Sequence, residues 1–268
     1  MSLRALNGSV ALAYEERGAG TPVLLVHGLG YTRGGWGPAA DLLEKRFGLL
    51  LMDNRGMGES DKPPGPYTVA ELAADAAAVL AAAGLERAHV LGTSLGGMVA
   101  QELAIGWPER VARLVLVCTT AGGASAYPMP ERTVRLFGEV PGLEPEVALR
   151  RMAENSLADA TVRARPELVE QIYAYRLVNR PDLAAWAAQA AAGAAFDSRD
   201  RLGGIRAPTL VLTGTADNVI DHRNSELLAQ GIAGARLEHF HGGGHLFLWE
   251  EPERFAATVG DFLAAGGA

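Results

Sequence analysis

The sequence predicts an α/β fold: a doubly wound, mostly parallel sheet interrupted by one helical insertion. Three observations carry this. Short apolar runs without polar alternation recur along the chain, as strands buried on both faces require. Helix-period patterns separate them, which implies right-handed crossovers. Over about residues 121–200 the alternation stops and only helical patterns remain.

In chain order, Val23–Val26 runs into His27-Gly28, and Leu49–Met52 into Asp53. The stretch Thr68 to Ala83 opens with Thr68-Val69-Ala70-Glu71, the spacing of a capping box, and stops at Gly84. His89–Leu91 ends at Gly92, followed by a helix pattern from Leu95 to Trp107 that Pro108 terminates. The run Val111–Cys118 ends at Thr119-Thr120. Helical patterns follow over Pro130–Phe137, Pro145–Leu157, Pro166–Val178 and Pro181–Ala195, with prolines marking their starts. Strands return at Thr209–Leu212 and Arg236–Phe240, and Pro252–Ala264 closes the chain as a helix. The expected organisation is a core of residues 1–120 and 206–268 with a helical cap, 121–205, inserted between two strands. In such sheets ligands bind beyond the carboxyl ends of the strands.

With 24 Lys and Arg against 31 Asp and Glu, the formal charge is −7. That balance disfavours sequence-independent binding to nucleic acid or anionic lipid and suits a small-molecule partner. The single cysteine, Cys118, excludes an internal disulfide and a cysteine-based metal site, and its apolar setting reads as a buried small hydrophobe. Met1-Ser2-Leu3-Arg4 lacks the apolar run of a signal peptide and no segment has the length of a membrane span, so a cytoplasmic location is expected. Nothing bears on oligomeric state.

The sharpest local pattern is Gly92-Thr93-Ser94-Leu95-Gly96-Gly97, a G-x-S-x-G match between a strand and a helix. A serine on so tight a turn has strained backbone angles, and flanking glycines relieve the crowding that would otherwise hide its hydroxyl. A serine hydroxyl is a weak nucleophile and needs a base. His245, in a glycine-rich loop after the last strand, is the best candidate, ahead of His222, His239 and His241. The pair His241 and His245 could suggest metal, but three intervening glycines and the want of a third ligand argue against it. Asp217, directly after the strand Thr209–Leu212, can hold the histidine tautomer, with Asp221 as local competitor. Backbone N–H groups of Leu29, in His27-Gly28-Leu29-Gly30, and of Leu95 could form an oxyanion hole. His27 itself reads as a structural residue, and Asp53 to Ser60 as a polar loop held by charged hydrogen bonds.

These segments together resemble the α/β-hydrolase superfamily over essentially the whole chain. Pro108-Glu109-Arg110-Val111 and Glu251-Pro252-Glu253-Arg254-Phe255 add to the likeness. Within the superfamily the chain is similar to capped bacterial carboxylesterases and 3-oxoadipate enol-lactonase-like hydrolases. The resemblance implies Ser94 as nucleophile, His245 as base, Asp217 as its partner, and no cofactor. A serine at the turn argues against haloalkane dehalogenases and epoxide hydrolases, which use aspartate there.

The expected activity is hydrolysis of an ester or lactone of a small, largely apolar substrate through an acyl-enzyme. Because His245 must be neutral to accept a proton, activity should climb with pH across the range in which imidazoles titrate. Met152, Tyr173, Tyr175, Trp186 and Phe196 are expected to form mostly cap core, a minority of them reaching the pocket. Two alternatives share the core: a meta-cleavage-type C–C bond hydrolase, and a small-molecule receptor with slow turnover.

Overall fold

The computed structural model describes residues 2–265. Eight strands form one sheet: β1 Leu3–Asn7, β2 Val10–Gly18, β3 Pro22–Val26, β4 Gly48–Met52, β5 Ala88–Thr93, β6 Val111–Val117, β7 Thr209–Gly214 and β8 Arg236–Phe240. Their order is β1-β2-β4-β3-β5-β6-β7-β8. From β4 to β8 every neighbouring pair is parallel, and β1 and β2 pair antiparallel at one edge. The helices are α1 Gly37–Leu43, α2 Val69–Ala82, α3 Leu95–Gly106, α4 Glu131–Glu139, α5 Pro145–Asn155, α6 Asp159–Ala164, α7 Pro166–Val178, α8 Leu183–Ala194, α9 Arg223–Gly231, α10 Phe247–Glu250 and α11 Pro252–Ala264.

Successive residues of a strand point to opposite faces, and here both faces are covered. Leu24, Val26, Leu50, Val90, Leu114, Leu116 and Val211 pack with α2 and α3 on one side. Val23, Leu25, Leu49, Leu91, Val115, Val117 and Leu212 pack with α1 and α11 on the other. This is why the central strands read as continuous apolar runs. Helix α2 begins where its signal placed it: the Thr68 hydroxyl accepts from Glu71 N (3.1 Å) and the Glu71 carboxylate from Thr68 N (2.8 Å).

Helices α4 to α8 all lie between β6 and β7 in sequence. The two ends of this insertion meet at an isolated antiparallel bridge, Gly122 with Asp197, and Ser198 N donates to Ala121 O (2.9 Å). Gly122 has φ +69°, and a Cβ there would lie 1.9 Å from Phe196 O, so only glycine lets the strands cross. Asn224 of α9 then pins the outgoing segment by both amide groups to the backbone of Tyr127 (2.9 and 3.0 Å). No helix among the described residues is long and apolar enough to cross a membrane.

Candidate active site

The turn from β5 into α3 is drawn against its neighbours as tightly as glycine allows. A Cβ on Gly92 would sit 2.3 Å from Gly96 O, and one on Gly96 2.0 Å from Val26 O. Between them Ser94 adopts φ 54° and ψ −121°, a strained conformation for a residue with a side chain. Its carbonyl accepts from the Thr119 hydroxyl (2.7 Å) and from the N–H groups of Gly97 and Met98, which holds the turn from behind. Ser94 is half-buried, and its side chain faces a cavity of about 490 Å³.

His245 lines the same cavity. Its Nδ1–H donates to Asp217 Oδ2 at 2.8 Å, a carboxylate being able only to accept. The Asp217 side chain is fully buried, and its other oxygen accepts from Val219 N (2.7 Å) and Ile220 N (3.0 Å). Both oxygens are thus occupied, and the imidazole is left with Nε2 free of the carboxylate. The histidine loop is itself anchored: Gly244 N donates to Glu250 Oε2 (2.8 Å), and Leu246 N to Ser156 O of the inserted segment (2.8 Å).

Leu29 and Leu95 both line the cavity. Leu95 is the first residue of α3, whose N–H has no intrahelical partner. The loop bearing Leu29 closes on Ser94 because residue 28 is glycine: a Cβ there would be 2.9 Å from Ser94 Cβ and 3.4 Å from its Oγ. His27 is buried, stacked on Tyr31 (centroids 4.6 Å) and edge-on to Trp36 (5.0 Å). Burial above all pushes its imidazole down to about 3, which keeps it neutral.

The other candidates hold other partners. Asp221 faces the cavity but is tied to Arg223, which holds its carboxyl below the usual range. His222, His239 and His241 form their own cluster of rings, with centroids 5.9 and 6.5 Å apart. The Asp53–Ser60 loop packs as a network: Arg33 N donates to Asp53 (2.7 Å), Asn54 to His27 O (2.9 Å), and Arg55 clasps Asp75 with two bonds (2.6 and 2.7 Å). Cys118 sits one residue beyond β6, with φ 44°, and its sulfur, an Asp217 oxygen and a His245 nitrogen lie within 4.8 Å of one another. Burial, then the Asp217 charge, pushes that thiol well up and holds it protonated. Of the five large cap residues singled out from sequence, Met152 lines the cavity and the other four do not.

Two features of the site escape sequence reading. Glu250 is buried and grips Gly244 N and Ala158 N (2.7 Å), with burial raising its carboxyl. The cavity wall also holds buried polar atoms without hydrogen-bond partners among the described residues: Tyr31 Oη, Thr93 Oγ1, Asn155 Oδ1, Arg176 Nε and Gln189 Oε1.

A parallel sheet capped on both faces, a serine on a strained strand-to-helix turn and a buried Asp–His pair in one cavity define a hydrolase of the α/β class. The chain belongs to the α/β-hydrolase superfamily and is a hydrolase: the family model for the alpha/beta hydrolase fold matches residues 21–252. It is 34% identical, over 94% of both chains, to a candidate carbamate hydrolase, RutD, of Azorhizobium caulinodans. It is 32% identical to the 2-hydroxy-6-oxo-6-phenylhexa-2,4-dienoate hydrolase of Comamonas testosteroni, over 93% of this chain and 90% of that one. The crystal structure of the enol-lactonase from Burkholderia xenovorans superposes with a TM-score of 0.86 at 28% identity, covering 97% of this chain and 99% of that one.

Proposed function

We propose that the protein is a serine hydrolase of small carboxylic esters or lactones, with Ser94 as nucleophile, His245 as general base and Asp217 as its orienting carboxylate. One observation carries the reading: a strained serine opens into the same cavity as a histidine whose far nitrogen is fixed at 2.8 Å on a buried aspartate. Ser94 Oγ attacks the carbonyl carbon as His245 Nε2 takes its proton, and Asp217 stabilises the imidazolium. The N–H groups of Leu29 and Leu95 receive the negative charge that develops on the carbonyl oxygen. His245 returns the proton to the leaving alcohol, and a water activated by the same imidazole releases the acyl group. Residues 121–205 act as a cap over a core of 1–120 and 206–268. The Gly122–Asp197 crossing at the cap's base supports that division.

The test is hydrolysis of p-nitrophenyl esters from acetate to octanoate by wild type and Ser94→Ala. Multiple turnover by wild type is expected, with loss of about 10⁴-fold or more in the variant. A folded Ser94→Ala protein with wild-type turnover would overturn the assignment. Turnover of vinylogous diketone acids without any ester turnover would move the reading to C–C bond cleavage.

A further inference from the structure

Strands β7 and β8 are parallel neighbours, and the chain leaves their carboxyl ends in two loops, one carrying Asp217 and the other His245. Three hydrogen bonds join those loops in a seam: Thr215 N to Phe240 O (3.1 Å), Ala216 N to Gly243 O (2.9 Å) and Gly242 N to the Thr215 hydroxyl (2.8 Å). Three histidines gather along it. His222 ends the Asp217 loop just before α9, His239 lies in β8, and His241 opens the His245 loop. Positions two apart on an extended chain face the same way, and the rings of His239 and His241 stack with centres 5.9 Å apart and planes 15° from parallel. The His222 ring meets that of His239 edge-on, at 6.5 Å. His222 and His239 are half-buried and His241 is exposed. The pairing weighed from sequence, His241 with His245, is not the one the fold makes.

We infer that His222, His239 and His241 form a site for one transition-metal dication, with Zn²⁺ as the type and water completing a tetrahedron. A tetrahedral Zn²⁺ holds imidazole nitrogens at about 2.0–2.1 Å, which sets the centres of two bound rings about 5 Å apart. Closing the present 5.9 and 6.5 Å to that spacing takes rotation of side chains that solvent already reaches. An all-imidazole set suits Zn²⁺, Ni²⁺ or Cu²⁺, whereas Mg²⁺ and Ca²⁺ take oxygen ligands. The neighbourhood is not an acidic one that would draw those harder ions. Asp221, beside His222, is engaged by Arg223 (2.9 and 2.5 Å), and Arg254 donates to His239 O (2.9 Å). Affinity therefore rests on the imidazole lone pairs rather than on the local field. An ion held there cross-links the loop of Asp217 to the loop of His245 across their seam, and so favours the folded chain by mass action. The site stands apart from the ester or lactone reading and needs no particular substrate.

Two measurements test this. The first is calorimetric titration of the full chain, free of any affinity tag, with ZnCl₂ and with MgCl₂, at a pH where imidazoles are neutral enough to ligate. Wild type should bind a single Zn²⁺ saturably and Mg²⁺ not at all. His222→Gln and His239→Gln should each bind Zn²⁺ at least about tenfold more weakly, since losing even an outer partner of a ligand costs about 10–100-fold. His245→Gln should bind as wild type does. Unchanged affinity in His222→Gln or His239→Gln, or loss of binding in His245→Gln, would overturn the site. The second is zinc-edge X-ray absorption of the loaded wild type, which depends on no variant folding. Imidazole nitrogens at about 2.0–2.1 Å are expected. Sulfur near about 2.3 Å would put the ion on Cys118, and a shell of oxygen alone would put it on carboxylates; either result would overturn the proposal.

Discussion

Around Ser94 single atoms set the geometry. Gly28 leaves 2.9 Å between a would-be Cβ and Ser94 Cβ, and 3.2 Å to Thr93 O. Gly28→Ala must therefore push the Leu29 loop away from Ser94. Displacements of about 1 Å in reacting groups cost about 10²-fold in rate. We expect kcat for p-nitrophenyl butyrate to drop by roughly that factor while far-ultraviolet circular dichroism stays that of wild type. Full activity in Gly28→Ala would mean that the loop takes no part in the reaction. Residues such as Ser94, Asp217 and His245 stood out in the sequence because each sits at a strand end in a glycine-rich context that local sterics demand. Arg176 did not, although a trace of it is legible in hindsight. Leu168, Val169, Ile172 and Arg176 follow the apolar stripe of one helix face, so the arginine occupies a position where that stripe calls for an apolar residue.

At the scale of elements, the histidine loop depends on a residue that no motif marks. Glu250 accepts from Gly244 N and Ala158 N and so joins the loop of His245 to the inserted helices. Glu250→Ala strands two buried N–H groups, each worth about 1–3 kcal/mol. A lower denaturation midpoint is expected, together with a kcat that falls more than KM changes, because the His245 imidazole is displaced and the pocket is not. Loss of stability with kcat intact would show that the loop holds its shape without Glu250. The central strands and the helices α2, α3, α5, α7 and α11 were legible because burial on one or both faces imposes a clear apolar period. Strands β1 and β2, the outermost pair on one side of the sheet, were not, since both are only partly buried and carry charged residues among their apolar ones, Arg4 in β1 and Glu15, Glu16 and Arg17 in β2. The short helices α1, α6 and α9 were also missed. Helix α6 buries no residue at all, and so offers no period to read.

For the molecule as a whole, pH links the site to stability. His27 is held neutral in the fold by burial, with its pKa pushed from the ordinary 6.5 to about 3. Between those values the unfolded chain binds a proton that the native state refuses. Stability from this residue is therefore complete above about pH 6.5 and drains away as pH falls towards 3. His27→Gln removes that proton linkage. The drop in urea midpoint between pH 7 and pH 4.5 should be smaller in the variant than in wild type. An identical drop would place the acid sensitivity elsewhere. Glu250 contributes with the opposite sign: burial raises its carboxyl, so its share of stability falls as pH rises through the raised value.

Activation of Ser94 by His245 is the central step proposed for this protein, and covalent labelling addresses it without knowing the substrate. The protein would be treated with diisopropyl fluorophosphate and the adduct located by mass spectrometry of its peptides. One adduct on the peptide containing Ser94 is expected, absent from Ser94→Ala and formed at least about 10²-fold more slowly by His245→Ala. A label on another residue, or equal labelling rates for wild type and folded His245→Ala, would contradict it.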